Sequence, residues 1–177
     1  MAEPEVVRRI ALLGGESSGK TTLARALAET LATTWVPEYG RQRWEELRIT
    51  LSVDELVAVA RRQIAMEEAA LAQARHWLVC DTTPLTTLQY CQHDHHQMPA
   101  ELQALARRPY DLSVVCLPDF AFVQDGCRRD DGFRRQQHAW TLERLARQGV
   151  APLIVGGALP DRVAQVKLAL AHWRTPH

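Results

Sequence analysis

The chain predicts a three-layer α/β fold: a central five-stranded parallel sheet with helices on both faces. Two observations predict it. Short apolar runs alternate with longer segments of helical periodicity, and strands separated by helices pair in parallel through crossovers. Gly14, Glu38, Asp81, Pro118 and Gly156 each follow one of the apolar runs. All five would therefore gather at the carboxyl edge of such a sheet, where open α/β sheets bind ligands.

The elements can be taken in order. Residues 10–13, following Val6 and Val7, read as the first strand. Residues 21–32 read as a helix, with Leu23, Leu27 and Leu31 at four-residue spacing. Residues 34–36 form a short second strand closed by Pro37. Ser52-Val-Asp-Glu55 has the form of a capping box, in which the serine satisfies a free backbone N–H and the glutamate reaches back. The helix it opens is expected to run to about residue 75. Residues 77–80 are the third strand, ending on Asp81. Helices over 85–92 and 100–107 follow, then a fourth strand over 112–117. Residues 119–133 are charged and aperiodic and read as a loop or mobile lid, taken as about 119–135. A helix over 134–148 stops at Gly149. A fifth strand over 153–155 leads into Gly156-Gly157, and a last helix covers 161–173. No repeat or linker interrupts the pattern, so residues 1–177 are expected to form a single domain.

Composition narrows the function classes. Hydrophobic residues make up 46% and charged residues 24%, as in a globular protein, and the net charge is zero. Without a basic field, a nucleic-acid partner is not expected. No apolar run approaches the roughly 20 residues that span a bilayer, so no membrane partner is expected. The N-terminus carries no signal-peptide pattern. Cys80, Cys91, Cys116 and Cys127 form no CxxC pair, and two of them lie in apolar strands. Reduced thiols and a cytoplasmic setting fit best. Oligomeric state has no sequence signal.

The most specific motif is Gly14-Gly15-Glu16-Ser17-Ser18-Gly19-Lys20-Thr21, which fits G-x-x-x-x-G-K-[ST] between a strand and a helix. Glycines permit backbone angles that let a loop turn its N–H groups inward around phosphate oxygens. The following helix adds its positive end. Lys20 would reach the β- and γ-phosphates of ATP, and the Thr21 hydroxyl, next to Thr22, would ligate Mg²⁺. The chain has 21 lysines and arginines, of which only Lys20 and Lys167 are lysine. A lysine at position 20 suits a site that needs a compact ammonium.

Asp81, delivered by its strand to the same edge, would hold Mg²⁺; the bland alternative is a helix cap. Glu38, in Val36-Pro-Glu-Tyr-Gly-Arg41, is the first candidate to orient an acceptor hydroxyl, with Asp81 second. Its bland alternative is a surface ion pair with Arg41. Arg128, Arg129, Arg134 and Arg135 fall within eight positions of the lid segment. Arg128 and Arg134 are the candidates for touching phosphate, because guanidinium groups stay charged and match phosphate geometry. A lid would also exclude water. His93-Asp-His-His96 matches no zinc spacing and reads as an exposed loop. Trp35, Tyr39, Trp44 and Tyr90 could stack on a flat ring.

Taken together, residues 13–22, Pro37-Glu-Tyr-Gly-Arg41, Asp81-Thr82 with Thr86-Thr87, and Asp125-Gly-Cys-Arg128 resemble the ribosylnicotinamide kinase domain of NadR-type proteins, over about residues 8–170. The resemblance implies the P-loop NTPase/kinase form of the fold. It also implies ATP- and Mg²⁺-dependent phosphorylation of nicotinamide riboside at its 5′-hydroxyl, giving nicotinamide mononucleotide. By the same resemblance Asp81 and Glu38 face the acceptor, and Arg41 and Arg128 lie near substrate or phosphate. Tyr39 and Tyr90 have the right chemistry for the acceptor's ring and diol. NadR-type proteins can carry a DNA-binding segment and a nucleotidyl-transfer domain ahead of this one; neither is expected here. Two alternatives remain: a kinase of another nucleoside or small alcohol, and a non-catalytic ATP-binding regulatory protein.

Overall fold

A computed structural model describes residues 6–123 and 129–173. Five parallel strands form one sheet in the order β2-β3-β1-β4-β5. The strands are β1 (Arg8–Leu13), β2 (Trp35–Val36), β3 (Trp77–Asp81), β4 (Leu112–Cys116) and β5 (Leu153–Val155). The helices are α1 (Lys20–Thr30), α2 (Tyr39–Leu47), α3 (Val53–Ala70), α4 (Pro84–His95), α5 (Ala100–Leu105), α6 (Asp131–Arg147) and α7 (Leu159–Ala171).

Strand alternation divides the core into two layers. Ile10 and Leu12 of β1, with Val114 and Cys116 of β4, pack against Leu23, Ala24 and Leu27 of α1 and Val166 of α7. Leu13 and Val115, one register step away, face the opposite side and join Leu56, Val59 and Ala60 of α3, Leu85 and Leu88 of α4, and Leu145 of α6. Cys80, Cys91 and Cys116 are buried free thiols. Among the described residues no helix is long and apolar enough to cross a membrane.

The capping box forms as expected: the Ser52 hydroxyl accepts from Glu55 N, and the Glu55 carboxylate accepts from Ser52 N at 2.8 Å. Several boundaries differ from expectation. Helix α3 ends at Ala70, and a 3₁₀ turn over Leu71–Gln73 replaces its last turn. Helix α2 gave no sequence signal, because none of its residues is buried and no apolar stripe marks it. Its own ion pairs, Arg41–Glu45 and Arg43–Glu46, help hold it. Its Gly40 lies close to Val59 of α3. The supposed lid over 119–135 is partly helical. Asp130 caps α6, accepting from Phe133 N at 2.7 Å, so residues 131–135 are its first turn. The histidine tract is not a loop: His93 and His95 lie in the last turn of α4, where cations suit the helix dipole. The His95 imidazole Nε2 lies 2.7 Å from Leu51 O.

One buried polar cluster fastens α3 to the segment before β4. Glu67, fully buried, accepts from the Tyr110 hydroxyl at 3.0 Å and from Arg108 Nε at 3.1 Å. Arg108 and Arg9 also pair with the neighbouring Glu68. Burial outweighs these donors and pushes the Glu67 carboxyl up to about 7. The folded chain therefore holds this proton over a pH range in which the unfolded chain has released it. The stability it confers is complete below the ordinary glutamate value of 4.5 and is lost as pH rises through about 7. At about 1.4 kcal/mol per unit the swing is roughly 3 kcal/mol. Glu67→Gln, which mimics the protonated group, should unfold in denaturant like wild type at pH 5. At pH 8 it should be more stable than wild type by on the order of 2–3 kcal/mol.

Candidate active site

The sheet's register builds the site. Asp81 lies opposite Leu12, one residue before the end of β1, and Val36 lies opposite Cys80. Three adjacent strand ends therefore bring together the loop after Leu13, the Asp81 carboxylate and Glu38.

The loop over residues 14–19 is held in a bent form. Gly14 sits at φ +132°, and a Cβ there would lie 2.7 Å from the Cys116 carbonyl oxygen, so only glycine allows the loop to start against the end of β4. Gly19, at φ +82°, is the N-cap of α1. Between them Ser17 adopts a left-handed conformation, and the buried Ser18 hydroxyl donates to Gly15 O at 2.7 Å. Lys20 Nζ folds back over the loop and donates to Gly15 O at 2.8 Å and Gly14 O at 3.1 Å.

At the inner end, the Thr21 hydroxyl donates to Asp81 Oδ2 at 2.6 Å. The other oxygen of this carboxylate, Oδ1, is buried with no hydrogen-bond partner. A buried, half-satisfied carboxylate beside a hydroxyl offers hard oxygen donors, which suit Mg²⁺ when phosphate oxygens and waters complete its octahedron. Among the described residues no group of three or more His, Cys, Asp or Glu side chains could hold a metal by itself. Burial pushes the Asp81 carboxyl upward while Lys20 pulls it down. Burial likewise pushes Glu38 up to about 7, against the pull of Lys20 and with a further push from Asp81.

Lys20, Thr21 and Glu38 line a cavity of about 210 Å³ whose walls extend from the loop to helix α2, with Asp81 buried behind Thr21 rather than on the wall. Outside the loop the cavity walls include Glu38, Arg41, Trp44, Leu51 and Tyr90. Arg48 stacks on the Trp44 ring at 5.1 Å. Glu16 ties the loop to its surroundings. Its carboxylate accepts from the Tyr90 hydroxyl at 2.8 Å and from Arg129 N at 2.7 Å, and its own N–H donates to Gln137. Arg129 pairs with Asp94 of α4 and lies over the Phe133 ring at 4.5 Å.

The cavity wall includes Gly14, Glu16 to Thr22, Glu38, Arg41 and Tyr90, and Asp81 lies behind it, bonded to Thr21. Tyr39 packs against the hydrophobic core that includes α3 and is not on the cavity wall, although its N–H bonds Gln63, which is. Trp35 sits beside Arg25, also off the cavity wall. Arg134 is buried behind the loop; it donates to Phe120 O at 2.9 Å and pairs with Asp131. Arg128 lies outside the described residues. The Gly156-Gly157 turn bonds to Asp119 and Arg162. Phe120 and Arg162 in turn lie against Gly19. Sequence reasoning missed Gln63, Gln137 and Arg162. Each sits in a helix as an ordinary polar residue, and only the fold shows that it is buried against the site.

The sequence profile described as "AAA domain" matches residues 9–162. The trifunctional NAD biosynthesis/regulator proteins NadR of Salmonella typhimurium (strain LT2) and Escherichia coli (strain K12) are each 30% identical over 133 residues, 71% of this chain. This chain spans 32% of the length of those relatives. Among solved structures, NadR in complex with NR superposes with a TM-score of 0.79 at 21% identity, covering 97% of this chain and 52% of that one. Thymidylate kinase from Candida albicans superposes with a TM-score of 0.65 at 15% identity, covering 93% and 91%. The five-stranded parallel sheet with its helices is the P-loop kinase fold.

The orphaned oxygen yields a direct check. Asp81→Asn, which removes the charge and keeps the shape, should weaken Mg²⁺ binding in the presence of a non-hydrolysable ATP analogue by about tenfold or more. A magnesium titration followed by calorimetry would measure it.

Proposed function

Because the chain belongs to the AAA-domain family and resembles the NadR-type kinase domain, we propose that it is an ATP-dependent kinase. Its acceptor on this reading is the 5′-hydroxyl of nicotinamide riboside, and its product is nicotinamide mononucleotide. The observation that carries the reading is Glu38. Its carboxyl, brought up to about 7 by burial, shares one cavity with Lys20 and the phosphate loop. A base works best when its pKa is near the operating pH.

In this mechanism the loop amides and Lys20 hold the β- and γ-phosphates. Thr21 and Asp81 would hold Mg²⁺, which supplies charge neutralisation across the phosphates. Glu38 accepts the proton of the 5′-hydroxyl as that oxygen bonds to the γ-phosphorus and the β–γ bridging oxygen departs on ADP. The acceptor occupies the part of the cavity outside the phosphate loop. Trp44 offers a flat face to the pyridinium ring, and the Glu16 and Glu38 carboxylates on the same wall are the anionic groups available to it. The choice of acceptor is supported by the 30% identity to the NadR proteins, one solved NadR structure being a complex with NR.

Transfer from labelled ATP to nicotinamide riboside, set beside uridine, cytidine, thymidine and adenosine, tests the proposal. The riboside should be the preferred acceptor, and transfer to none of the panel would remove the reading. Glu38→Gln should keep its affinity for an ATP analogue and lose about 10²–10⁴ in kcat. For the wild type, kcat/KM should rise with pH through about 7 and level off above it, because the carboxylate is the active form.

A further inference from the structure

A loop that turns its N–H groups toward a ligand must turn the matching carbonyls the other way, since a trans peptide holds the two antiparallel. The described residues contain no cis peptide bond. Two carbonyls of this loop, those of Ser17 and Ser18, are met by buried guanidinium groups. Arg162 of α7, 3% exposed, donates Nη1 to Ser18 O at 2.7 Å. It also donates Nε to Gly157 O at 2.9 Å and Nη2 to Leu117 O at 3.1 Å, and it pairs with Asp119. Phe120 covers it at 5.2 Å. Arg134, equally buried, directs Nη1 toward Ser17 O at 3.4 Å.

We propose that Arg162, assisted by Arg134, is a positioning residue that strengthens the phosphate loop from behind. The inference rests on the reading of residues 14–21 as a phosphate loop, and it holds whatever the acceptor is. A cation on the Ser18 carbonyl withdraws electron density from the Ser18–Gly19 peptide unit and makes the Gly19 N–H a stronger donor. Arg134 does the same, over a longer contact, for the Ser18 N–H. Neither guanidinium needs to touch phosphate. Both guanidiniums are buried and each is paired with a carboxylate, Asp119 or Asp131, so they act on the loop through the charge-assisted hydrogen bonds they donate rather than through a long-range field. The same side chain of Arg162 fixes the loop to the ends of β4 and β5, which keeps the donors preorganised. Lysine could supply the charge but has no planar fork to span Ser18, Leu117, Gly157 and Asp119 together.

Two measurements on Arg162→Gln, Arg162→Lys and Arg134→Gln separate this role from that of a simple brace. The first is the backbone amide proton shift. Gly19 should move upfield in both Arg162 variants, more in the glutamine one, and Ser18 should move upfield in Arg134→Gln. The second is affinity for inorganic tripolyphosphate with Mg²⁺, which should fall about tenfold or more in Arg162→Gln and by less in Arg162→Lys. If the glutamine variant fails to fold, the lysine variant carries both readouts. Unmoved Gly19 shifts with tripolyphosphate affinity within twofold of wild type, in a folded Arg162 variant, would overturn the inference. A wild-type chain that binds no tripolyphosphate would remove the phosphate-loop reading and this inference together. Binding without transfer to any nucleoside would remove only the acceptor assignment.

Discussion

The constraint on which the site depends is the bent backbone between Leu13 and Lys20. It demands positive φ at Gly14, Ser17 and Gly19, conformations that cost energy for an ordinary residue. It also demands that the loop begin in contact with the end of β4. The remaining structure supports that bend: Ser18 closes it internally, α1 starts from it, and Arg162 holds the Ser18 carbonyl. Helix α1 is in turn anchored by Leu23 and Leu27, which are fully buried under the sheet. The loop's geometry thus follows from core packing several residues away.

The second feature is the treatment of charge. Two carboxylates that would be ionised in water sit near the sheet's carboxyl edge, Asp81 buried and Glu38 half-buried on the cavity wall; desolvation raises both and Lys20 opposes that rise. A site built this way is electrostatically unsatisfied, as the unpartnered Asp81 Oδ1 shows. Buried polar atoms normally find partners, so an orphan at a strand end beside a phosphate loop has the character of a ligand position. The Glu67 cluster on α3 forms a contrast. Its carboxyl is also raised, yet Tyr110 and Arg108 occupy it, and it serves packing.

Most of the fold was legible in the sequence because its signals are local. Four-residue leucine spacing marked α1, Ser52 and Glu55 marked the start of α3, and apolar runs marked all five strands. The central loop declared itself through residue types that backbone geometry requires. What remained hidden depended on distant contacts. Helix α2 has no fully buried residue; Tyr39 and Leu47 pack against the core only partly buried, and Gly40 comes close to α3. The first turn of α6 was masked by charge, since Asp130 and Asp131 look like loop residues until Asp130 is seen capping Phe133 N. Arg134 and Arg162 resemble surface arginines in a helix, and nothing local announces that the fold will bury them against loop carbonyls. Glu16 was legible as part of the motif, but its bonds to Tyr90 and Arg129 were not.

The central claim is that residues 14–21 bind the polyphosphate of a nucleotide through backbone donors and Lys20. Calorimetric titration of the whole chain with Mg²⁺–ATP, beside Lys20→Ala, tests it most directly. The account requires saturable one-to-one binding by the wild type and a loss of about tenfold or more in the variant. No binding by the wild type, or equal affinity in the two proteins, would contradict it.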